Sequence, residues 1–273
     1  MASLDFLETS PGFLSSLGSL MSNLLTMISR VHAPKRFPVL PSALILFLCL
    51  VSPLVAAEKY LTPGKLDSVA LLAPPPIPGS PEYKADLASA TAVFQGRTPV
   101  EEARALKDAT LTIFNFAPAI GTFFNSNTLP KSARFFTELK PEIKEAITIP
   151  KEHWKRIRPY EVNKELWFGK PEPSFSYPSG HSTQGMIQAL VLCELFPEKR
   201  DAIMEIGRNI GWDRVLIGKH FPTDVIAGRV LAQAVMRELK ESAAFQKDLA
   251  EVKAEIESVK ALAANKKAVP ASK

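Results

Sequence analysis

The stretch Y-P-S-G-H-S at residues 177–182 places a histidine at the start of a predicted helix. Ser179 can cap that helix, and Gly180 lets a ligand approach the backbone closely because it carries no side chain. The free N–H groups at a helix N-terminus form an anion site. His181 would then lie beside the bound anion and could give a proton to its leaving oxygen. Taken alone, the stretch fits equally well a capping turn whose histidine is merely exposed.

The stretch R-V-L-I-G-K-H-F-P-T-D at residues 214–224 places a second histidine near another helix start. His220 and Asp224 are four residues apart, so they share a face if this segment is helical. Asp224 could then orient one imidazole nitrogen and leave the other free to attack. Arg214 could grip phosphate or a similar oxyanion with two parallel hydrogen bonds. By itself this pattern is weak, because a solvated surface set of Arg, His and Asp also explains it.

A third stretch, K-E-H-W-K-R-I-R-P at residues 151–159, is rich in cations. Lys151 and Arg158 are seven residues apart, which is two helical turns, so the sequence predicts that both charged groups converge on one point. Pro159 ends the regular pattern. The other charged side chains of this stretch are predicted to be solvated: His153, Lys155 and Arg156.

Together the three stretches read K-x6-R-P, then P-S-G-H, then R-x5-H-x3-D. This order resembles the three-part signature of the type-2 phosphatidic acid phosphatase superfamily. The resemblance covers residues 151–224 as motifs and extends more loosely along most of the chain that follows the predicted signal. The wording Y-L-T-P-G at residues 60–64 and H-W-K-R-x-R-P-Y at 153–160 looks like that of the bacterial class A acid phosphatases. The resemblance implies an all-α fold, with a single globular helical bundle domain of the acid phosphatase and vanadium haloperoxidase type.

The resemblance also implies a role for each motif residue in hydrolysing a small phosphomonoester. His220 would attack phosphorus to give a phosphohistidine, with Asp224 orienting it. His181 would protonate the leaving alcohol and then activate the water that hydrolyses the intermediate. The phosphoryl oxygens would be held by Lys151, Arg158, Ser179, the backbone N–H of Gly180, and Arg214. No metal or other cofactor is expected, because the cations and the helix terminus stabilise the charge.

One position departs from the family's pattern. The family usually has serine directly before the arginine of the third motif, and this chain has Asp213. A carboxylate there could repel phosphate, or it could pair with Arg214 and fix its guanidinium. We favour the pairing, because Arg214 itself is retained.

Two other functions are compatible with the sequence. A vanadate-dependent haloperoxidase uses a similar oxyanion cage, although it is usually a considerably longer chain. A non-catalytic envelope protein could bind phosphate, or a partner through its C-terminal helix. A lipid phosphatase with several spanning helices is not expected, since no apolar run of 18 residues follows position 57. The net charge of +5 comes without a dense Lys/Arg cluster, so no nucleic acid partner is predicted.

Residues 1–57 are predicted to be an upstream extension followed by a signal peptide, with Met27 as the natural start and Met21 as the alternative. Two basic residues at 35–36 precede an apolar core at 43–51, which is too short to span a bilayer, and small residues at 55–57 suit cleavage. This pattern predicts export to the periplasm without stable membrane insertion; a retained anchor is the alternative. The remaining divisions are a proline-rich arm at 58–80, a phosphatase domain at 81–240, and an amphipathic helix and tail at 241–273. The arm is predicted to lie extended over the domain, with no element of its own.

Helix signals dominate the predicted domain. Ser80 and Thr98 are predicted to cap helices that begin with proline, and Cys193 is predicted to be a buried, inert thiol. Further helices are predicted at residues 130–139, 141–147, 182–196, 199–210 and 222–239.

The C-terminal helix carries apolar residues at heptad spacing, namely Phe245, Leu249, Val252, Ile256 and Val259. Packing back on the same domain and packing on another chain explain this pattern equally well. If the stripe were exposed it would mark a contact. We therefore predict a homo-oligomer, most simply a two-fold dimer, with this helix partly across the subunit boundary.

Overall fold

The computed structural model describes residues 60–268, and all the regular elements in that part of the chain are helical. The all-α prediction is therefore confirmed. The predicted signal peptide and start site lie outside the described residues. The α-helices are α1 (Ser68–Leu71), α2 (Pro81–Gly96), α3 (Pro99–Asp108), α4 (Ala117–Ile120), α5 (Pro130–Trp154), α6 (Pro159–Val162), α7 (Gly180–Leu195), α8 (Arg200–Leu216), α9 (Pro222–Glu241) and α10 (Ala243–Ala268). Short 3-10 turns occur at Ile113–Phe116, Lys164–Leu166 and Pro197–Lys199.

The predicted helix starts of α2 and α3 are confirmed. The side chain of Ser80 accepts the N–H of Tyr83 at 3.1 Å. Thr98 and Glu101 form a reciprocal capping box, in which each side chain accepts the other residue's backbone N–H. Both caps satisfy donors that a helix cannot pair internally, which fixes where α2 and α3 begin.

Helix α5 is continuous where two helices were predicted. Pro141 and Pro150 both lie inside it. An interior proline costs about 3 kcal/mol because it removes a hydrogen bond and crowds the preceding turn. Each buried Leu, Ile or Phe contributes about 1.5–3 kcal/mol, and α5 buries several of them on one face. Burial of that face therefore outweighs the local preference to stop, and the helix delivers Lys151 in its last turn.

Helix α7 is the buried centre of the domain and packs on α8 and α9. Helices α7 and α8 meet at glycines, because a Cβ on Gly185 would lie 2.7 Å from Ile210 Cγ2 and one on Gly207 would lie 2.6 Å from Ala189 Cβ. This close approach brings the end of α8 beside the start of α7, where two of the motifs lie. Cys193, also on α7, is buried as predicted, and burial raises the pKa of its thiol.

The proline-rich arm takes part in the core. It contains the short helix α1, and the ring of Tyr60 is buried 5.9 Å from that of Phe135. The Tyr60 hydroxyl also donates to Asp248 of α10 at 2.7 Å. The prediction of an arm with no element of its own is wrong, because its apolar and aromatic side chains are covered by α5 and α10.

The apolar stripe of α10 is covered by the chain itself. Phe245, Val252 and Ile256 are buried, and the ring of Phe245 lies 5.5 Å from that of Phe135 on α5. No second subunit is needed to cover the stripe, so the premise of the dimer argument is wrong. The homo-oligomer itself stays a prediction. Within residues 60–268, none of the helices combines the length and apolar character needed to cross a bilayer.

Candidate active site

His220 and Asp224 are paired, as their spacing predicted. The Nδ1 atom of His220 lies 3.2 Å from Oδ2 of Asp224, and both side chains are buried. The pair does not share a helix face, since α9 begins only at Pro222. Asp224 instead folds back over the first turn and accepts the N–H of Phe221 at 3.0 Å. The carboxylate therefore faces the histidine because it also caps the helix.

A tight turn between α8 and α9 presents His220 to the site. Gly218 adopts a positive φ of 66°, and a Cβ there would lie 2.3 Å from the carbonyl oxygen of Leu166. Only glycine suits this position, because any side chain would meet both the strained backbone and the neighbouring carbonyl. The backbone N–H of His220 donates to the carbonyl of Arg214 at 3.2 Å, which holds the turn against the end of α8.

The surroundings of His220 make its imidazole neutral. Burial lowers its pKa well below the usual value, and the neighbouring cations Arg158, Lys151 and Arg214 lower it further. Asp224 can accept the proton of Nδ1, so the tautomer with a lone pair on Nε2 is favoured. That Nε2 lies 3.3 Å from a terminal nitrogen of Arg158. This nitrogen therefore accepts a hydrogen bond from Arg158 and faces the cations.

Lys151 and Arg158 do converge, although not along one helix. Helix α5 ends at Trp154, Lys155 is left-handed, and Arg158 lies in an extended segment. The Nζ of Lys151 donates to the carbonyls of Phe175 and Ser176, and Arg158 donates to the carbonyl of Phe175 at 3.2 Å. Both cations thus reach one loop, the one that precedes α7.

Arg214 presents an unused donor at the same place. Its side chain is buried in the last turn of α8 and forms an ion pair with Glu172. Within residues 60–263, its Nε is among the few buried side-chain atoms without a hydrogen-bond partner. Buried donors are almost always paired, so this atom is available to an acceptor such as an oxyanion. Burial of Glu172 opposes its ionisation, but Arg214 and Arg158 hold the pKa of that carboxyl below its usual value.

The N-terminus of α7 completes the cluster. Ser179 caps the helix by accepting the N–H of Ser182 at 3.3 Å, as predicted. A Cβ on Gly180 would meet no protein atom closer than 3.8 Å, so space remains beside this backbone. The Nε2 of His181 lies 3.1 Å from the carbonyl oxygen of Ala109, which fixes the ring. Burial and the charge of Arg214 lower the pKa of His181 to about 4.

Asp213 pairs with a different arginine from the one predicted. Arg104 of α3 donates to both carboxylate oxygens, with its closest nitrogen 2.7 Å from Oδ1. The expected pairing with Arg214 is therefore wrong, because the two side chains leave α8 in different directions. Burial raises the pKa of Asp213 to about 6, against the opposing effect of Arg104. Asp213, which stands where the family has serine, is therefore paired with Arg104 and not with the arginine of the oxyanion site.

Arg156 was predicted to be solvated, and this is wrong. It is buried, and it joins Asp224 to Asp86 of α2 through ion pairs of 2.6 and 2.7 Å. The prediction for His153 and Lys155 is confirmed, since both are exposed. The sequence interpretation also missed Ser176, whose hydroxyl donates to Oδ2 of Asp224 at 2.5 Å.

Comparison with known proteins identifies the family of this chain. Residues 136–243 match the model of the PAP2 superfamily, a range that contains all three motifs. The chain is 33% identical over 205 residues to the non-specific acid phosphatase of Providencia stuartii, covering 71% of this chain and 83% of that protein. The chain belongs to the class A acid phosphatases of the PAP2 superfamily. The predicted family is thereby confirmed.

Two further acid phosphatases are similar to this chain. An acid phosphatase of Zymomonas mobilis is 30% identical over 71% of this chain and 77% of its own length. The non-specific acid phosphatase of Salmonella typhimurium is 29% identical over 78% of this chain and 91% of its own length. Members of this family are phosphomonoesterases, so the predicted class of enzyme is confirmed as well. Among residues 60–268, no group of three or more His, Cys, Asp or Glu side chains could hold a metal ion.

We predict that phosphate affinity depends on the protonation of Lys151. Burial, followed by repulsion from Arg158, lowers the pKa of this amine to about 7. The charged form binds phosphate and persists only below that pH, so affinity should fall as the pH rises through 7. Competitive inhibition by inorganic phosphate would measure it. Between pH 6 and 8 the inhibition constant should rise about tenfold more in the parent enzyme than in Lys151→Arg, whose guanidinium stays charged.

Phosphate itself ionises in this pH range, and this changes the inhibition constant equally in both proteins. The comparison with Lys151→Arg therefore cancels that effect. Parallel profiles for the two proteins would mean that Lys151 keeps its charge throughout this range, contrary to the prediction.

Proposed function

We propose that this protein is an exported acid phosphatase that hydrolyses phosphate monoesters through a phosphohistidine. His220 is the nucleophile, and His181 is the general acid and then the general base. One observation carries the proposal: the imidazole of His220 is buried, with Nδ1 on Asp224 and Nε2 facing Arg158, and its burial lowers its pKa, which favours the neutral form. A neutral nitrogen whose lone pair points at the cation Arg158 can attack a phosphoryl group that takes the place of this hydrogen bond.

In the first step the Nε2 lone pair of His220 forms a bond to phosphorus as the bond to the leaving oxygen breaks. The imidazole gains a positive charge, which the carboxylate of Asp224 stabilises at Nδ1. His181 gives its proton to the leaving oxygen, so that an alcohol departs in place of an alkoxide. The phosphoryl group remains on Nε2.

In the second step a water molecule takes the place of the alcohol. His181 is now neutral and accepts a proton from the water as its oxygen forms a bond to phosphorus. The bond between phosphorus and Nε2 breaks, the electron pair returns to the imidazole of His220, and phosphate is released. Both histidines then have the protonation with which they began.

The cations stabilise charge on the phosphoryl oxygens in both steps. Lys151 and Arg158 reach the loop before α7, and Arg214 offers its unpaired Nε. A terminal nitrogen of Arg214 donates to the carboxylate of Glu172. We expect a phosphate oxygen to displace this carboxylate, since a dianion among three cations gains more than a single carboxylate does.

Export rests on the sequence of residues 1–57, where a basic pair, an apolar core and small residues follow in order. We propose a cleaved signal and a periplasmic enzyme. N-terminal sequencing of the exported protein should find Glu58 first; an unprocessed N-terminus would favour the retained anchor.

The mature enzyme should hydrolyse nucleotides, sugar phosphates and aryl phosphates without added metal. A panel of these monoesters, assayed from acidic to neutral pH with and without chelator, tests the proposal. Activity should be unchanged by chelator, because Lys151, Arg158 and Arg214 supply the positive charge at the site. Orthovanadate should inhibit competitively, since it mimics the five-coordinate transition state.

Two results would contradict the proposal. Complete loss of activity in chelator, restored by a divalent metal, would assign the chemistry to a metal. Binding of phosphate without turnover of any monoester would favour a phosphate-binding protein instead.

A further inference from the structure

Arg156 lies behind the candidate nucleophile and faces away from the oxyanion site. Its Nη1 donates to Oδ1 of Asp224 at 2.6 Å and to the hydroxyl of Thr223 at 2.7 Å. Its Nη2 donates to Oδ2 of Asp86 at 2.7 Å. The guanidinium carbon lies 3.8 Å from the ring centroid of Phe221, the residue next to His220. Arg156 therefore contacts the support of the histidine, and not the histidine itself.

Asp86 holds Arg156 in place from α2. Besides pairing with Nη2, its carboxylate accepts the backbone N–H of Thr223 at 3.2 Å and the hydroxyl of the same residue. Asp86 is 5% exposed and Arg156 is 6% exposed, so solvent does little to screen this pair. The backbone carbonyl of Arg156 also accepts the N–H of Ser176 at 2.8 Å. Backbone and side chain together leave Arg156 little freedom to move.

The two oxygens of Asp224 are divided between different tasks. Oδ1 faces Arg156, whereas Oδ2 accepts from Ser176 Oγ, from the N–H of Phe221 and from Nδ1 of His220. A carboxylate held at one oxygen cannot rotate about the Cβ–Cγ bond without breaking that ion pair. Fixing Oδ1 therefore fixes the direction in which Oδ2 faces His220.

We propose that Arg156, anchored by Asp86, is a positioning residue that aims Asp224 at His220 and compensates its buried negative charge. It acts through Asp224 and touches no part of the substrate. This inference rests on the proposed role of His220 and adds a residue on α2 and another before α6 to the machinery behind it. The simpler alternative is that the Asp86–Arg156–Asp224 chain only holds α2 against the start of α9.

The pH dependence of phosphoenzyme formation separates these alternatives. Its acid limb is the part of the profile in which the rate falls as the pH is lowered. His220 must be neutral to attack, and the charged or titratable groups that face it are Asp224, Arg158, Lys151, Arg214 and His181. Without Arg156, the charge of Asp224 would act on His220 uncompensated and make the imidazole more basic. The imidazole would then hold a proton at higher pH, so the acid limb should move to higher pH. A purely structural contact would lower stability and leave that limb in place.

The experiment compares Arg156→Met, Arg156→Lys and Asp86→Asn with the parent enzyme. Single-turnover phosphoenzyme formation should slow by about 10- to 100-fold in Arg156→Met, the range known for outer groups that orient a metal-ligating histidine. Affinity for orthovanadate should stay within about threefold, because the three oxyanion-binding cations remain. Arg156→Lys should recover part of the rate, and Asp86→Asn should show a smaller loss with the same shift of the acid limb.

Arg97→Met is a matched control. Arg97 also pairs with a carboxylate, Glu102 at 2.7 Å, and stacks on a phenylalanine, with Phe94 4.0 Å away. It contacts none of the proposed catalytic residues, so its loss should not move the acid limb. In an Asp224→Asn background, Arg156→Met should cost less than threefold, because the group through which it acts is already altered.

Three results would overturn the inference. These are an acid limb that stays in place in folded Arg156 variants, full additivity with Asp224→Asn, and a loss confined to vanadate affinity. If Arg156→Met does not fold, Arg156→Lys and Asp86→Asn still decide the question. Failure of the proposed function can be told apart from failure of this inference. It would appear as retained turnover in a His220 variant, whatever the Arg156 variants do.

Discussion

Replacing His220 with alanine should lower kcat for every phosphate monoester by about 10⁴- to 10⁶-fold, the size of effect that follows loss of a catalytic nucleophile. Among the histidines of residues 60–268, no other imidazole can take its place, because the Nε2 of His220 is the one that faces Arg158 while its ring is held by Asp224. Phosphoenzyme should no longer form. Quenching in alkali, in which a bond between phosphorus and nitrogen survives, followed by mass spectrometry, would measure it.

Phosphate binding should survive this substitution. Lys151, Arg158 and Arg214 remain, so inhibition by inorganic phosphate should change by only a few-fold. His153→Ala is the matched control, since this histidine is exposed and its ring packs on that of Trp154. Turnover by His220→Ala within about tenfold of the control would exclude His220 as the nucleophile.

The pairing within each motif could be predicted because it depends on short spacing. His220 and Asp224 must lie close whether the chain between them is helical or forms a helix start. The same holds for Ser179 as a cap of α7. The helix over residues 151–158 was predicted wrongly because Lys155 takes a left-handed conformation and ends α5 there. A helix end inside a charged run gives little signal in the sequence.

That helix end explains why Arg156 was missed. Beyond it the chain is extended, and side chains alternate between two faces. Arg156 and Arg158 consequently both turn inward, and Ile157 between them is 51% exposed. Pro159 already disfavours a helical conformation for Arg158. The pattern R-I-R-P therefore could have indicated two inward arginines.

The partners of these arginines could not be found from one sequence. Asp86 is 70 positions from Arg156, and Arg104 is 109 positions from Asp213. Such pairs depend on how α2 and α3 pack on α8 and α9. Local spacing contains no information about that packing, and a buried acid such as Asp86 looks like any other charged residue of an amphipathic helix.

Replacing His181 with alanine should give the second largest effect, and its size should depend on the leaving group. For alkyl and sugar phosphates the departing alkoxide needs a proton, so the rate of phosphoenzyme formation should fall by about 10²- to 10⁴-fold. For aryl phosphates the leaving phenolate is stable without a proton, and the loss should be several-fold at most. Rapid-quench measurement of the first turnover is required, because the second step also uses His181.

The second step supplies an independent sign of the same role. In His181→Ala an aryl phosphate should still phosphorylate His220, but water attack would lack its base. Phenol release should therefore show a burst of about one equivalent per site, followed by slow turnover, while the phosphoenzyme accumulates. Equal losses for aryl and alkyl phosphates, with no burst, would mean that His181 transfers no proton.

The pH dependence should differ between the free and the occupied site. Burial, followed by the charge of Arg214, lowers the pKa of His181 to about 4 in the empty site, so the imidazole is neutral there at pH 6. A bound phosphate monoester brings negative charge beside Arg214 and offsets that cation, which raises the pKa of His181. Because the general acid must be protonated, the alkaline limb of kcat should lie at higher pH than the limb of kcat/KM that His181 controls. For aryl phosphates, first-turnover measurements should show neither of these alkaline limbs, since the leaving phenolate needs no proton. If the two alkaline limbs coincided for alkyl phosphates, the charge of the substrate would not affect the pKa of His181.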